Sequence, residues 1–177
     1  YPLLKYLEID LKKKKELNLE LGDLVVYPIY GVGEIEKFDK HQIDGKNHEF
    51  ILINFKQDKM KLRIPMEKAS NSGLRKLSNK NRLSRALDVL SEQPSIKKDM
   101  WIKRAKEYEK NINSGDPVLI AEVVRDLHKK EDSLEQQSYS ERQIYLTALN
   151  RLSNEYAAVQ NLEKKTAKVK LEELLNQ

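Results

Sequence analysis

The spacing of hydrophobic residues changes near Gly73, and this change is the strongest constraint on the fold. Before Gly73, apolar residues alternate with polar ones in short runs rich in β-branched and aromatic side chains; after it, they recur every three or four residues. Alternation is typical of half-buried strands, and the longer period is typical of amphipathic helices. The sequence therefore predicts a two-domain α+β protein, with a β domain at residues 19–73, a helical domain at residues 74–177 and an N-terminal arm at residues 1–18.

The predicted β domain contains four runs of strand character, which begin at Leu24, Val32, Phe50 and Met60. Asp44-Gly45 lies between the second and third runs and favours a tight hairpin, because both turn positions require positive φ. Gln57-Asp58-Lys59 is expected to close a second hairpin. Four or five short antiparallel strands in so few residues predict a small Tudor-like or SH3-like barrel.

The second domain is predicted to be an all-α bundle of about five helices. Asp116-Pro117 favours a helix start, because Asp caps a helix and proline in the first turn loses no needed hydrogen bond. Ser140 and Gln143 fit a capping box for a fourth helix, and a more polar fifth helix is expected from Glu163 to Leu175. The residues predicted to lie in the core are Tyr108, Ile120, Val124 and Leu127.

Positive charge is concentrated in one part of the chain. The net charge is +5, and residues 74–130 alone contain fourteen basic and eight acidic residues. Basic residues that only kept the surface polar would be spread along the chain and would not be concentrated in one segment. The pattern predicts a polyanionic partner, of which nucleic acid is the commonest.

Composition and motifs argue against several classes of protein. With no cysteine, the chain has no disulfide or thiolate site, and His41, His48 and His128 lack metal-ligand spacing. Gly31-Val32-Gly33 lacks the other residues of a phosphate-binding loop and is interpreted as a bend between strands. We therefore expect no enzyme activity, no metal, no cofactor and no small-molecule substrate. No apolar run approaches the roughly 18 residues of a membrane span, so we expect a cytoplasmic protein without a membrane partner.

Several segments resemble one known family. Leu21–Gly33 contains Gly-Asp-Leu-Val-Val-Tyr-Pro followed by Gly-Val-Gly, and it resembles the opening motif of the CarD/CdnL family of bacterial transcription regulators. The likeness continues at Met60–Pro65, Trp101–Arg104, Ser114–Asp116 and Ala121–Leu127, so that it covers roughly Leu19 to Ala158. The first motif is shared with transcription-repair coupling factors, whereas both halves together are far more specific.

The resemblance implies a two-part transcription regulator that catalyses no reaction. The N-terminal domain would bind the β subunit of RNA polymerase by offering a strand edge. The helical domain would bind promoter double-stranded DNA beside the transcription bubble. There a tryptophan would enter the minor groove and favour the open complex. Such a protein would be associated with the nucleoid.

The same resemblance assigns candidate residues. Arg63 matches a position that grips polymerase, Lys61 and Leu62 belong to the same motif, and His41 falls where relatives can place a basic side chain near that contact. A neutral histidine would contribute little ionic binding there. For DNA, Trp101 matches the wedge of the family. Its neighbours Lys103, Arg104 and Lys106 match phosphate-binding positions. Lys129 and Lys130 match a basic pair at the end of the third helix.

Two questions stay open at this point. Trp101 shares a helical stripe with Ala105 and Tyr108, which favours burial, but its place in a first turn among lysines favours exposure, as the resemblance does. Two other functions are also compatible with the pattern. One is a Tudor-like module that reads a peptide through an aromatic cage of Tyr27, Tyr30 and Phe38, with the helices as scaffold. The other is a free-standing architectural DNA-binding protein.

Overall fold

The computed structural model describes residues 17–177, without the side chains of Glu131 and Asp132. The predicted arm at residues 1–18 therefore lies outside the described residues, apart from Leu17 and Asn18. The chain divides between Leu77 and Ser78 into two compact units, which we call the sheet unit and the helical unit. This boundary lies a few residues after the predicted one at Gly73, because Arg75 and Lys76 pair with a strand of the sheet unit.

The described part of the sheet unit contains one antiparallel sheet of five strands. Their order is β4-β3-β2-β1-β5, with β1 at Leu24–Tyr27, β2 at Gly31–Ile43, β3 at Lys46–Phe55, β4 at Met60–Pro65 and β5 at Arg75–Lys76. A short helix, α1, covers Met66–Ala69. The sheet is open, with β4 and β5 as its two edges among the described residues, so a closed barrel is not confirmed.

Both predicted hairpins are present. Asp44 and Gly45 join β2 to β3 with φ angles of 51° and 74°, as the turn requires. The second hairpin joins β3 to β4 through Lys56–Lys59, where Phe55 pairs with Met60. The turn chemistry of the sequence therefore determined the central part of the sheet.

The prediction of a bend at Gly31-Val32-Gly33 is wrong. These residues begin β2, and the chain turns earlier, at residues 28–30. Gly33 lies against the core of the sheet unit. A Cβ atom there would stand 2.5 Å from Cγ2 of Ile53 and 2.9 Å from Cε1 of Phe55. The glycine is therefore needed for a close approach between β2 and β3 and not for a turn.

The helical unit contains five α-helices and one 3-10 helix among the described residues. They are α2 at Lys80–Leu90, α3 at Trp101–Asn113, α4 at Pro117–Leu127, the 3-10 helix at Glu131–Gln136, α5 at Tyr139–Gln160 and α6 at Lys164–Leu175. The carboxylate of Asp116 accepts a hydrogen bond from the Val118 N–H, so the predicted cap of α4 is confirmed. The four residues predicted to be core are all buried: Tyr108, Ile120, Val124 and Leu127.

The capping box of α5 lies two residues before its predicted place. The Ser138 hydroxyl accepts from the Glu141 N–H at 3.2 Å, and the Glu141 carboxylate accepts from the Ser138 N–H at 3.0 Å. Ser140 is inside the first turn. Both serines are followed after three residues by Glu or Gln, so the motif alone could not choose between them.

We expect Ser138→Ala to destabilise the helical unit by about 1 kcal/mol, because it leaves an N–H of the first turn without its acceptor. Ser140→Ala is the matched control and should change stability by less than half as much. Urea unfolding followed by the fluorescence of Trp101, the only tryptophan in the chain, measures both. Equal effects of the two substitutions would contradict this assignment of the cap.

Candidate functional site

The predicted polymerase-binding residues of the sheet unit lie on its edge strand β4, which pairs only with β3 in the described part of the chain. Lys61 and Arg63 point to the exposed side of this strand, whereas Leu62 is half-buried against the core of the sheet unit. The Lys61 ammonium lies 2.6 Å from the Glu36 carboxylate. This arrangement leaves one backbone edge of β4 without a strand partner and places basic side chains beside it.

Arg63 and His41 come together at one buried carboxylate. The oxygens of Asp39 lie 2.6 Å from Lys37 Nζ, 3.5 Å from an Arg63 guanidinium nitrogen and 3.9 Å from His41 Nε2. The hydrogen bond from Lys37, followed by the charges of Lys37 and Arg63, holds the pKa of Asp39 below its ordinary value, although burial acts against them. Asp39 therefore stays ionised and holds Arg63 near β2.

Trp101 is the first residue of α3, and its side chain is neither fully exposed nor fully buried. Its ring packs against the core of the helical unit and lies 6.4 Å from the ring of Tyr108, between centroids. The Arg104 guanidinium carbon stands 5.4 Å from the centroid of the Trp101 ring. The two interpretations of Trp101 thus each describe part of its surroundings, since the residue packs on the core and is still partly exposed.

Cations surround the start of α3, but they are not equivalent. Lys97 bonds to Glu107 at 2.6 Å and Lys103 to Asp99 at 3.1 Å. The hydrogen bond to Glu107 raises the pKa of Lys97 above its ordinary value. Lys106 is exposed and has no ion pair with any side chain that the structure describes. It is therefore more available to an anionic partner than Lys97 or Lys103, whose charges are already paired.

Lys129 and Lys130 follow the end of α4. Because only Ser114–Asp116 separate α3 from α4, the two helices form a hairpin that returns the end of α4 towards the start of α3. The preceding His128 is held on both ring nitrogens, with Nδ1 3.0 Å from the Tyr145 hydroxyl and Nε2 3.1 Å from Asn176 Oδ1. Burial raises the pKa of Tyr145 to about 12, so this partner of His128 is a neutral hydroxyl.

Two exposed apolar side chains beside Trp101 were not predicted from the sequence. Met100 is 78% exposed and Ile102 is 68% exposed. Ile102 lies outside the helical stripe that Trp101 shares with Ala105 and Tyr108. Its position on another face of the helix was the sequence signal that could have predicted its exposure. The start of α3 therefore exposes apolar side chains among cations, which suits a surface that touches bases between phosphates.

A polar cleft of about 210 Å³ lies behind the start of α3. It holds a buried ion pair in which Arg125 Nε donates to Asp126 at 2.8 Å, and the same Asp126 oxygen accepts from the Ser95 N–H at 2.9 Å. Arg125 also reaches Glu92 at 3.3 Å. These bonds fix the segment between α2 and α3, so their effect is to position the chain that leads into Trp101.

The described residues contain no group of three acidic or histidine side chains that could hold a metal ion. None of the described helices combines the length and apolar character needed to cross a membrane. Tyr27 and Tyr30 stack with their planes 13° apart and 5.8 Å between centroids. Two stacked rings cover each other, and this pair does not provide the open walls of an aromatic cage.

Comparison with known proteins agrees with these features. The CarD-like/TRCF RID domain matches residues 19–78, and the CarD C-terminal domain matches residues 85–172. A protein of Bacillus subtilis (strain 168) named "Putative transcription factor YdeB" is 27% identical over 151 residues, which are 84% of this chain and 97% of that protein. The chain belongs to the CarD family. That family is one of transcription factors.

The two CarD-family matches fall on either side of the division between Leu77 and Ser78. The β4 edge and Arg63 lie within the first match, and the start of α3 lies within the second. Each candidate contact of this CarD-family chain is therefore carried by a separate folded unit.

Proposed function

We propose that this chain binds the β subunit of RNA polymerase through its sheet unit and promoter DNA through its helical unit, and that it thereby stabilises the open promoter complex. The observation that carries the proposal is the start of α3, where a half-exposed Trp101 stands between exposed Met100 and Ile102. The transcription-factor family of the chain adds its support.

The polymerase contact is assigned to β4. Its free edge can extend a sheet of the partner, since backbone N–H and C=O groups along an edge strand pair with any extended chain. Arg63 and Lys61 would add charge contacts beside that edge, and His41 lies next to Arg63 through their shared Asp39. Leu62 contributes backbone groups and, with its half-buried side chain, holds the strand on its core.

The DNA contact is assigned to the start of α3 and the end of α4. Lys106 and Lys130 are exposed, and Lys103 and Lys129 lie beside them. Lysines at such positions neutralise phosphates and make binding depend on salt. The ring of Trp101 would enter the minor groove next to the bubble.

The proposed mechanism is a shift of an equilibrium. Unstacking a base step for a wedge costs a few kcal/mol in intact duplex. At the edge of a bubble this cost is smaller, because the last step is already partly unstacked. Binding to polymerase raises the local concentration of the helical unit, so weak DNA affinity is enough. The chain then favours the open complex because it binds that state better than the closed one.

We expect Arg63→Glu to weaken binding to the polymerase β subunit at least tenfold, because the reversed charge repels the acidic partner that an arginine at this edge would contact. Lys76→Glu is the matched control: Lys76 is also an exposed basic residue, but it lies on β5 at the opposite edge of the sheet. Surface plasmon resonance with immobilised β subunit measures both. If the two substitutions weaken binding equally, β4 is not the contact.

A further inference from the structure

Arg104 differs from the other cations of α3 in where its side chain lies. Trp101, Arg104 and Tyr108 occur at positions i, i+3 and i+7, so they share one face of the helix. Lys103 and Lys106 point to solvent, whereas Arg104 is half-buried and its Nε is buried without a hydrogen-bond partner among the described residues. The side chain of Arg104 is therefore more enclosed by the helical unit than those of Lys103 and Lys106.

The surroundings of Arg104 are aromatic on one side and polar on the other. Its guanidinium carbon stands 5.4 Å from the centroid of the Trp101 ring, within the range of a cation–π contact. It also lines the cleft that contains Tyr108 and the Arg125–Asp126 pair. Burial raises the pKa of Tyr108, with Asp126 adding to the rise, whereas the charge of Arg104 and its side-chain hydrogen bond to Tyr108 oppose it. The side chain of Arg104 thus contacts the Trp101 ring and also lines the cleft.

We infer that Arg104 is a positioning residue that holds the ring of Trp101 in its half-exposed orientation, and that it makes no phosphate contact. This inference rests on the proposed function of Trp101 as the wedge. It differs from the assignment by family resemblance, in which Arg104 binds phosphate. A planar guanidinium suits the role because it stacks on an indole and stays charged when half-buried, which an ammonium does less well.

The test is a double-mutant cycle on the lifetime of the open complex formed by the full chain, polymerase and a promoter. Arg104→Gln should shorten the lifetime about 3- to 10-fold in the natural chain, by loss of the cation–π contact. In a Trp101→Ala background it should have no further effect, because the residue acts only through the ring. A shortening of equal size in both backgrounds would overturn the inference.

A second arm separates stacking from phosphate binding. Arg104→Lys should shorten the lifetime less than Arg104→Gln does, because an ammonium can still lie over the ring although it loses the stacked plane. Neither should change the salt dependence of binding to a duplex that contains a bubble, whereas Lys106→Gln should lower the logarithmic slope by about 0.9. A slope lowered by Arg104→Gln to the same extent as by Lys106→Gln would mean a phosphate contact and would overturn the inference.

A third arm needs neither polymerase nor DNA, and so it separates failure of this inference from failure of the proposed function. Trp101 is the only tryptophan, so its fluorescence reports on one ring. Arg104→Gln should raise the acrylamide quenching constant of the free protein about twofold while the far-UV circular dichroism stays unchanged. An unchanged quenching constant overturns the role of Arg104, whatever Trp101 does at a promoter. If Trp101→Ala leaves the open complex unaffected, the proposed wedge fails instead.

Discussion

Replacing Trp101 by alanine is expected to shorten the lifetime of the open complex about tenfold or more. The ring is half-exposed at the first residue of α3, and stacking of one base on an aromatic side chain is worth about 1–3 kcal/mol. The exposed side chains of Met100 and Ile102 remain available for contact, so the effect should stop short of complete loss. Decay of open complexes after addition of a competitor such as heparin measures the lifetime.

Because Trp101 also packs against the core, this substitution needs a control for stability. Leu87 on α2 is half-buried against the same hydrophobic cluster and has no proposed contact with DNA. Leu87→Ala should lower the urea midpoint of the helical unit by an amount similar to Trp101→Ala and leave the open complex unchanged. A shortened lifetime with both variants would show that the effect is one of folding.

The second large effect is expected from Gly33→Ala. The added methyl would overlap Ile53 and Phe55, which are both fully buried and have little room to move. Overpacking of this kind costs about 1–3 kcal/mol. The amide hydrogens of β2 and β3 should then exchange with deuterium roughly tenfold faster or more, while those of α4 and α5 keep their rates because they belong to the other unit.

Gly45→Asn is the control for that substitution. Nothing lies within 4 Å of a Cβ at Gly45, and asparagine tolerates its positive φ. Its hydrogen exchange should be close to that of the natural chain. If Gly33→Ala proves equally harmless, the close approach of β2 to Ile53 and Phe55 does not limit this position.

Local chemistry made part of the fold predictable. Asp44-Gly45 defined its hairpin because few residue pairs adopt positive φ twice in succession. Asp116-Pro117 defined the start of α4 for an equally local reason, a side-chain oxygen within reach of a free N–H. In both cases the competing conformations are excluded by residues next to each other in the chain.

Other features depended on contacts that sequence spacing does not encode. Ser138 and Ser140 offer the same motif, and the folded helix takes Ser138 as its N-cap. The sheet stays open because β4 and β5 do not pair with each other in the described chain, although its strand pattern equally suits a barrel. The convergence of Arg63 and His41 on Asp39 joins side chains of β2 and β4, which flank β3.

The residues at the start of α3 separate the two kinds of information most clearly. By itself the sequence determined that a lone tryptophan opens a helix among lysines and that its region carries the excess positive charge, because composition and period are properties of the chain. Only the tertiary structure decided that the ring is half-packed, that Met100 and Ile102 are exposed beside it, and that Arg104 turns towards the indole. The reason is that the exposure of a side chain depends on which neighbouring elements pack against it, and these neighbours are distant in the sequence.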